Sequence, residues 1–131
     1  MKKAGILNRQ LSKVIASMGH GDYLVIADAG LPIPVNIEVV DLAISKNIPG
    51  FLEVLNSVLI ELEVERVIIS NEIKTYSFKI YSSLVKTLKS IEITEISHEE
   101  FKKKMISARA VVRTGEFSPY SNVILVSSVI F

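Results

Sequence analysis

The sequence predicts an α/β protein: a single layered domain with a mainly parallel central sheet flanked by helices. Three observations predict it. Short aliphatic runs, such as Tyr23-Leu24-Val25-Ile26-Ala27, alternate along the chain with segments of helical periodicity. Several of these runs are continuously apolar, as strands covered on both faces require. The chain has 131 residues, which suits one core spanning 1–131 and leaves little room for a second.

The elements follow in order. Leu11, Val14, Ile15 and Met18 fall on one helical face, and Asn8 is placed to cap it, so 8–18 is read as a helix. Gly19 suits the turn after it, where a positive φ is often needed. Residues 23–27 form a buried strand that ends in the turn signal Asp28-Ala29-Gly30. Pro32 and Pro34 keep the next stretch extended. Strands are expected at 37–42, 66–70, 91–96, 108–114 and 122–130, and helices at 51–63, 77–89 and 97–107. The last helix carries the clearest start signal, because Ser97 and Glu100 have capping-box spacing.

Composition narrows the function. Fifteen basic and fourteen acidic residues give a net charge of +1, so neither nucleic acid nor an anionic membrane is expected as a partner. With no cysteine, disulfides, thiol catalysis and thiolate metal sites are excluded. No apolar run is long enough to span a bilayer, and Asn8, Arg9, Gln10 and Ser12 interrupt any signal-peptide core after Lys2 and Lys3. A soluble chain that is not exported is expected. Phosphate-loop, dinucleotide and nucleophile-elbow patterns are absent, and the two histidines form no metal motif. No metal and no cofactor are expected.

Polar chemistry gathers in two regions. His20 lies in Gly19-His20-Gly21-Asp22, ahead of the 23–27 strand, with Asp28 at the far end of that strand. A loop histidine at the surface is the plainer reading. The sharper one pairs its imidazole with a carboxylate, Asp28 or more weakly Asp22, for proton transfer near neutral pH. His98 and Lys102 are four apart on one helical face, either solvated or offering two hydrogen-bond donors to hydroxyls. In the loop 115–121, Pro119 restricts the backbone before Tyr120, and Asn122 opens the next strand. A phenol with a flat apolar face beside a carboxamide suits a sugar, although a hairpin loop reads equally well.

Together, Gly19-His20-Gly21-Asp22, Ala27-Asp28-Ala29-Gly30-Leu31-Pro32, Ser97-His98-Glu99-Glu100-Phe101-Lys102 and the stretch Arg113 to Asn122 resemble the D-ribose pyranase family, whose relatives include the L-fucose mutarotases. The likeness runs from Lys3 to Phe131 and is looser over 33–90. Ala4 departs from it, standing where several members have histidine. The resemblance implies a cytoplasmic isomerase that interconverts the β-pyranose and β-furanose forms of D-ribose, supplying the furanose to ribokinase after ribose uptake. It implies His20 as the catalytic acid, with Asp28, His98, Lys102, Tyr120 and Asn122 contacting the sugar. It also implies ring-shaped homo-oligomers, typically decamers, with sugar bound near subunit boundaries. A mutarotase for another sugar such as L-fucose, and a non-catalytic sugar-binding module, are the competing readings.

Overall fold

A computed structural model describes all residues, 1–131. It contains helices α1 (Arg9–Ala16), α2 (Phe51–Glu61), α3 (Ile73–Tyr76), α4 (Phe78–Thr87) and α5 (His98–Met105). Its strands are β1 (Tyr23–Ala27), β2 (Glu38–Asp41), β3 (Val64–Ser70), β4 (Glu92–Ile96), β5 (Ala110–Arg113) and β6 (Val123–Ser127). Every expected element is present. Most are a residue or two shorter at each end than expected, and β3 starts earlier, at Val64. The short α3 was not expected; with only Ile73 buried, it carries no periodic signal.

The six strands form one sheet in the order β2-β5-β1-β6-β3-β4. The β1–β5, β2–β5 and β3–β4 pairs are parallel. Only β6 is reversed, and it lies antiparallel between β1 and β3. The sheet is therefore mainly parallel, as the sequence predicts. Since β1 lies between β5 and β6, the 114–122 segment is a crossover over the end of β1 and not a hairpin.

Alternation along the strands sorts the core into two layers. One face, with Leu24, Ile26, Val67, Ile69, Val112 and Leu125, packs against Leu11 and Val14 of α1, Phe51, Leu55 and Val58 of α2, and Leu84 of α4. The other face, with Val25, Ile68, Val111 and Ile124, packs against Phe101 and Met105 of α5 and the Leu31–Ile37 segment. Burial on both sides explains why β1 and β6 read as unbroken apolar runs.

Helix ends follow their sequence signals with two differences. Asn8 Oδ1 accepts the Leu11 N–H at 2.9 Å, as an N-cap should. Ser97 Oγ accepts the Glu100 N–H at 3.2 Å, but the reciprocal half of the box is absent because the Glu100 carboxylate pairs with Lys103. After α1 the left-handed backbone falls on Gly21 (φ 82°) and not on Gly19. The Gly21 N–H is thereby donated to Ser127 O at 2.8 Å, tying the turn to the end of β6.

Gly115 meets a different demand, close approach. A β-carbon there would lie 2.5 Å from Ser45 O and 2.6 Å from Ile48 O. These are backbone atoms, and the same backbones exchange bonds from Asn47 N to Gly115 O and from Gly115 N to Pro49 O. Gly115→Ala is expected to lower stability by about 1–3 kcal/mol, the usual range for overpacking. Urea denaturation checks this, and an unchanged midpoint would show that the 44–49 loop yields freely.

Candidate functional site

The main cleft, of about 500 Å³, opens at the C-terminal ends of the parallel strands. Open α/β sheets bind ligands at that edge. Its wall comprises Asp28 to Pro32 after β1, Arg113 at the end of β5, Glu116, Phe117, Pro119 and Tyr120 of the crossover, and His98 at the start of α5.

Asp28 is held by its neighbours. Its N–H is donated to Asn122 Oδ1 at 2.8 Å, and Asn122 Nδ2 donates to Asp28 Oδ2 at 3.1 Å. The Gly30 N–H donates to Asp28 Oδ1 at 3.0 Å. Burial raises the Asp28 pKa above its ordinary 3.8, although the bonds from Gly30, Asn122 and Leu31 and the nearby His98 oppose the rise. Asn122 is fully buried behind Asp28 and forms no part of the cleft wall. In this geometry its carboxamide reaches the cleft through Asp28, where the sequence reading expected direct contact with a hydroxyl.

His98 and Tyr120 also line the cleft. Their rings meet edge to face with centroids 4.9 Å apart, and His98 also lies parallel over Phe101. The His98 main-chain N–H donates to both carboxylate oxygens of Glu72 at 3.1 Å, fixing the start of α5. His98 Nδ1 is buried without a protein partner. Tyr120 has φ 62°, an uncommon value for a bulky residue. Ser77 Oγ donates to the preceding Pro119 O at 2.6 Å and helps impose that backbone.

Two further expected residues, besides Asn122, lie outside the cleft wall. Lys102 stands one turn along α5 from His98, with its ammonium 2.7 Å from Glu99 Oε1. His20 is at the opposite end of β1. Five strand residues at ~3.3 Å each put roughly 16 Å of β1 between the His20 turn and Asp28. The expected pairing of His20 with Asp28 thus does not occur within one chain. Asp22 is not its partner either; Asp22 Oδ2 accepts from the Gly19 N–H and from Arg109 Nε. The imidazole instead lies 3.1 Å, Nε2 to Oε2, from Glu65.

Sequence reasoning gave no role to Arg113 and Glu116, although both sit inside a stretch it singled out. Arg113 Nε donates to Ala29 O, and its Nη1 donates to Asp41, fastening β5 to the loop after β1 and to β2. Glu116 is buried in the wall. Its carboxylate accepts the N–H of Phe51, the first residue of α2, and that of Ser118, both at 3.1 Å. A carboxylate suits a helix N-terminus, where the partial charge is positive. The signal for both was their charge within an otherwise uncharged stretch.

A half-buried carboxylate, an imidazole and a phenol around an open cleft on an α/β sheet offer the hydrogen-bonding groups that a small polyhydroxylated molecule needs. The comparisons agree with that class. A model of the RbsD / FucU transport protein family matches residues 1–130, and the chain belongs to that family. It is 50% identical to a D-ribose pyranase of Lactiplantibacillus plantarum and 52% identical to one of Coprothermobacter proteolyticus, over the full length of each pair. Among solved structures, Bacillus subtilis RbsD complexed with D-ribose superposes with a TM-score of 0.97, at 44% identity over all of both chains. The fucose mutarotase of Streptococcus pneumoniae, solved with L-fucose, gives 0.80 at 28% identity over 95% of each chain.

Two outcomes follow from the site. Folding raises the Asp28 pKa, so its contribution to stability is most favourable below the unfolded value of 3.8. That contribution falls as pH rises to and through the raised folded value. Thermal melts from pH 3.5 to 6 should show Asp28→Asn losing this component, so that its stability relative to the parent rises with pH; parallel curves would contradict the assignment. Glu116→Ala strands the buried Phe51 N–H and the half-buried Ser118 N–H and is expected to cost about 1–3 kcal/mol in chemical denaturation.

Proposed function

We propose that this protein is a D-ribose pyranase, an isomerase that interconverts the β-pyranose and β-furanose forms of D-ribose. The observation that carries the reading is full-length identity of about half to D-ribose pyranases, together with a cleft that keeps Asp28, His98 and Tyr120 in one wall. The greater likeness to the ribose-bound structure than to the fucose-bound one favours ribose over fucose.

The chemistry needs only proton transfer. Ring opening removes a proton from the anomeric hydroxyl and delivers one to the ring oxygen, which breaks the hemiacetal C–O bond and frees the aldehyde. Rotation brings a different hydroxyl to the carbonyl carbon. That hydroxyl adds and loses its proton as the carbonyl oxygen gains one, so no atom or charge is left over. In our reading Asp28, His98 and Tyr120 bind the sugar, Asn122 orients Asp28, and Lys102 binds an outlying hydroxyl after leaving Glu99. His20 is the acid.

Because β1 separates His20 from the cleft of its own chain, the reading requires a second copy to bring its own His20 turn to that cleft. Large exposed apolar side chains support self-association. Phe117 and Tyr76 flank the cleft region, and Val129, Ile130 and Phe131 form an uncovered apolar tail. A ring-shaped homo-oligomer, such as the decamer the resemblance implies, places the site at the subunit boundary. No helix is long and apolar enough to cross a membrane. A cytoplasmic place beside ribose uptake, with ribokinase consuming the furanose, completes the reading.

Saturation-transfer NMR of D-ribose, with L-fucose in parallel, tests it. Faster pyranose–furanose exchange of ribose is expected. His20→Ala should lose roughly 10²–10⁴-fold of the acceleration, the usual worth of general acid–base help, with an unchanged melting temperature. Acceleration confined to fucose would reassign the substrate. Sugar binding without faster exchange would make the protein a binding module.

A further inference from the structure

We infer that Glu65 is a positioning residue for His20, and that a β-bulge at the start of β3 exists to aim it. The inference rests on the reading of His20 as the proton-transfer group. His20 is exposed in a turn, where an imidazole is free to adopt several rotamers. Its one side-chain partner is the Glu65 carboxylate, at 3.1 Å from Nε2.

Glu65 does not reach that place by regular strand geometry. Val67 faces the α1/α2 core, so strict alternation would send Glu65 to the same face and Val64 to the other. The register between β3 and β6 instead shifts between Val64 and Arg66, pairing them with Ser127 and Val126. Val64 takes the core position, and Glu65 is released as the extra residue. Bulges re-aim a side chain in this way. The bulge also faces the residue that anchors the histidine turn, since Ser127 O accepts the Gly21 N–H and the Ser127 N–H is donated to Asp22 O. One irregularity therefore sets both the turn carrying His20 and the carboxylate that meets it.

A carboxylate on Nε2 holds the proton there and leaves Nδ1 as the nitrogen facing outward to exchange protons. Both side chains are well exposed, and an exposed pair of this kind contributes little to stability. The effect of Glu65 is thus on orientation, and it should be visible in turnover and not in folding.

The test is a cycle of Glu65→Ala, Glu65→Gln, His20→Ala and the double variant His20→Ala/Glu65→Ala, each assayed for ribose ring exchange and thermal melting. Glu65→Ala is expected to lower kcat by roughly tenfold with KM and melting temperature unchanged, because Glu65 lies outside the sugar cleft. Glu65→Gln, which keeps an acceptor for Nε2–H, should recover part of the loss. The double variant should be no slower than His20→Ala alone, since Glu65 acts only through that ring. Wild-type kcat in Glu65→Ala with an inactive His20→Ala would overturn this inference and leave the pyranase reading intact. Wild-type kcat in His20→Ala would overturn the underlying reading of His20. Additive losses in the double variant would assign Glu65 a separate role and contradict the positioning account.

Discussion

One reversed strand organises this molecule. With β6 antiparallel between β1 and β3, its first residues arrive at the edge where the parallel strands end. That is the edge where an α/β sheet opens its crevice. The crossover leading into β6 must pass over the end of β1, so Glu116, Tyr120 and Asn122 reach the surroundings of Asp28. The far end of β6 carries Ser127, which holds the turn containing His20. One strand direction thus supplies the cleft at one end and the histidine turn at the other.

The polar groups around the cleft are arranged so that few are left unpaired. Burial raises the Asp28 pKa, yet Asn122 and the Gly30 N–H satisfy its oxygens. Glu116 spends both oxygens on backbone N–H groups, which leaves it a structural carboxylate in the cleft wall. The exceptions are Ser70 Oγ, Ser121 Oγ and His98 Nδ1. All three sit on segments that converge at the sheet edge where the cleft opens.

Much of the fold was legible because its signals are local. Unbroken aliphatic runs at β1 and β6 marked strands buried on both faces, and Asn8 and Ser97 marked helix starts. The reversal of β6 was not legible, since strand direction is set by the crossover route and by packing. The bulge at Glu65 was hidden for a similar reason: Val64-Glu65-Arg66 reads as ordinary alternation until its partner strand is known. For the site, the sequence pointed to Asp28, His98 and Tyr120, which the fold brings into one wall. It placed His20 beside Asp28 within one chain, because closeness along the chain hid the length of β1 between them.

That separation makes the composite site the central claim, and subunit mixing tests it most directly. His20→Ala and Asp28→Ala chains would each be assembled alone, then unfolded together and refolded as a mixture. Each variant alone is expected to give no acceleration of ribose ring exchange. The mixture should regain a substantial fraction of wild-type exchange, because an intact His20 from one chain meets an intact Asp28 cleft from the other. A mixture as inactive as its parents, despite verified mixed assembly, would contradict a site shared between copies.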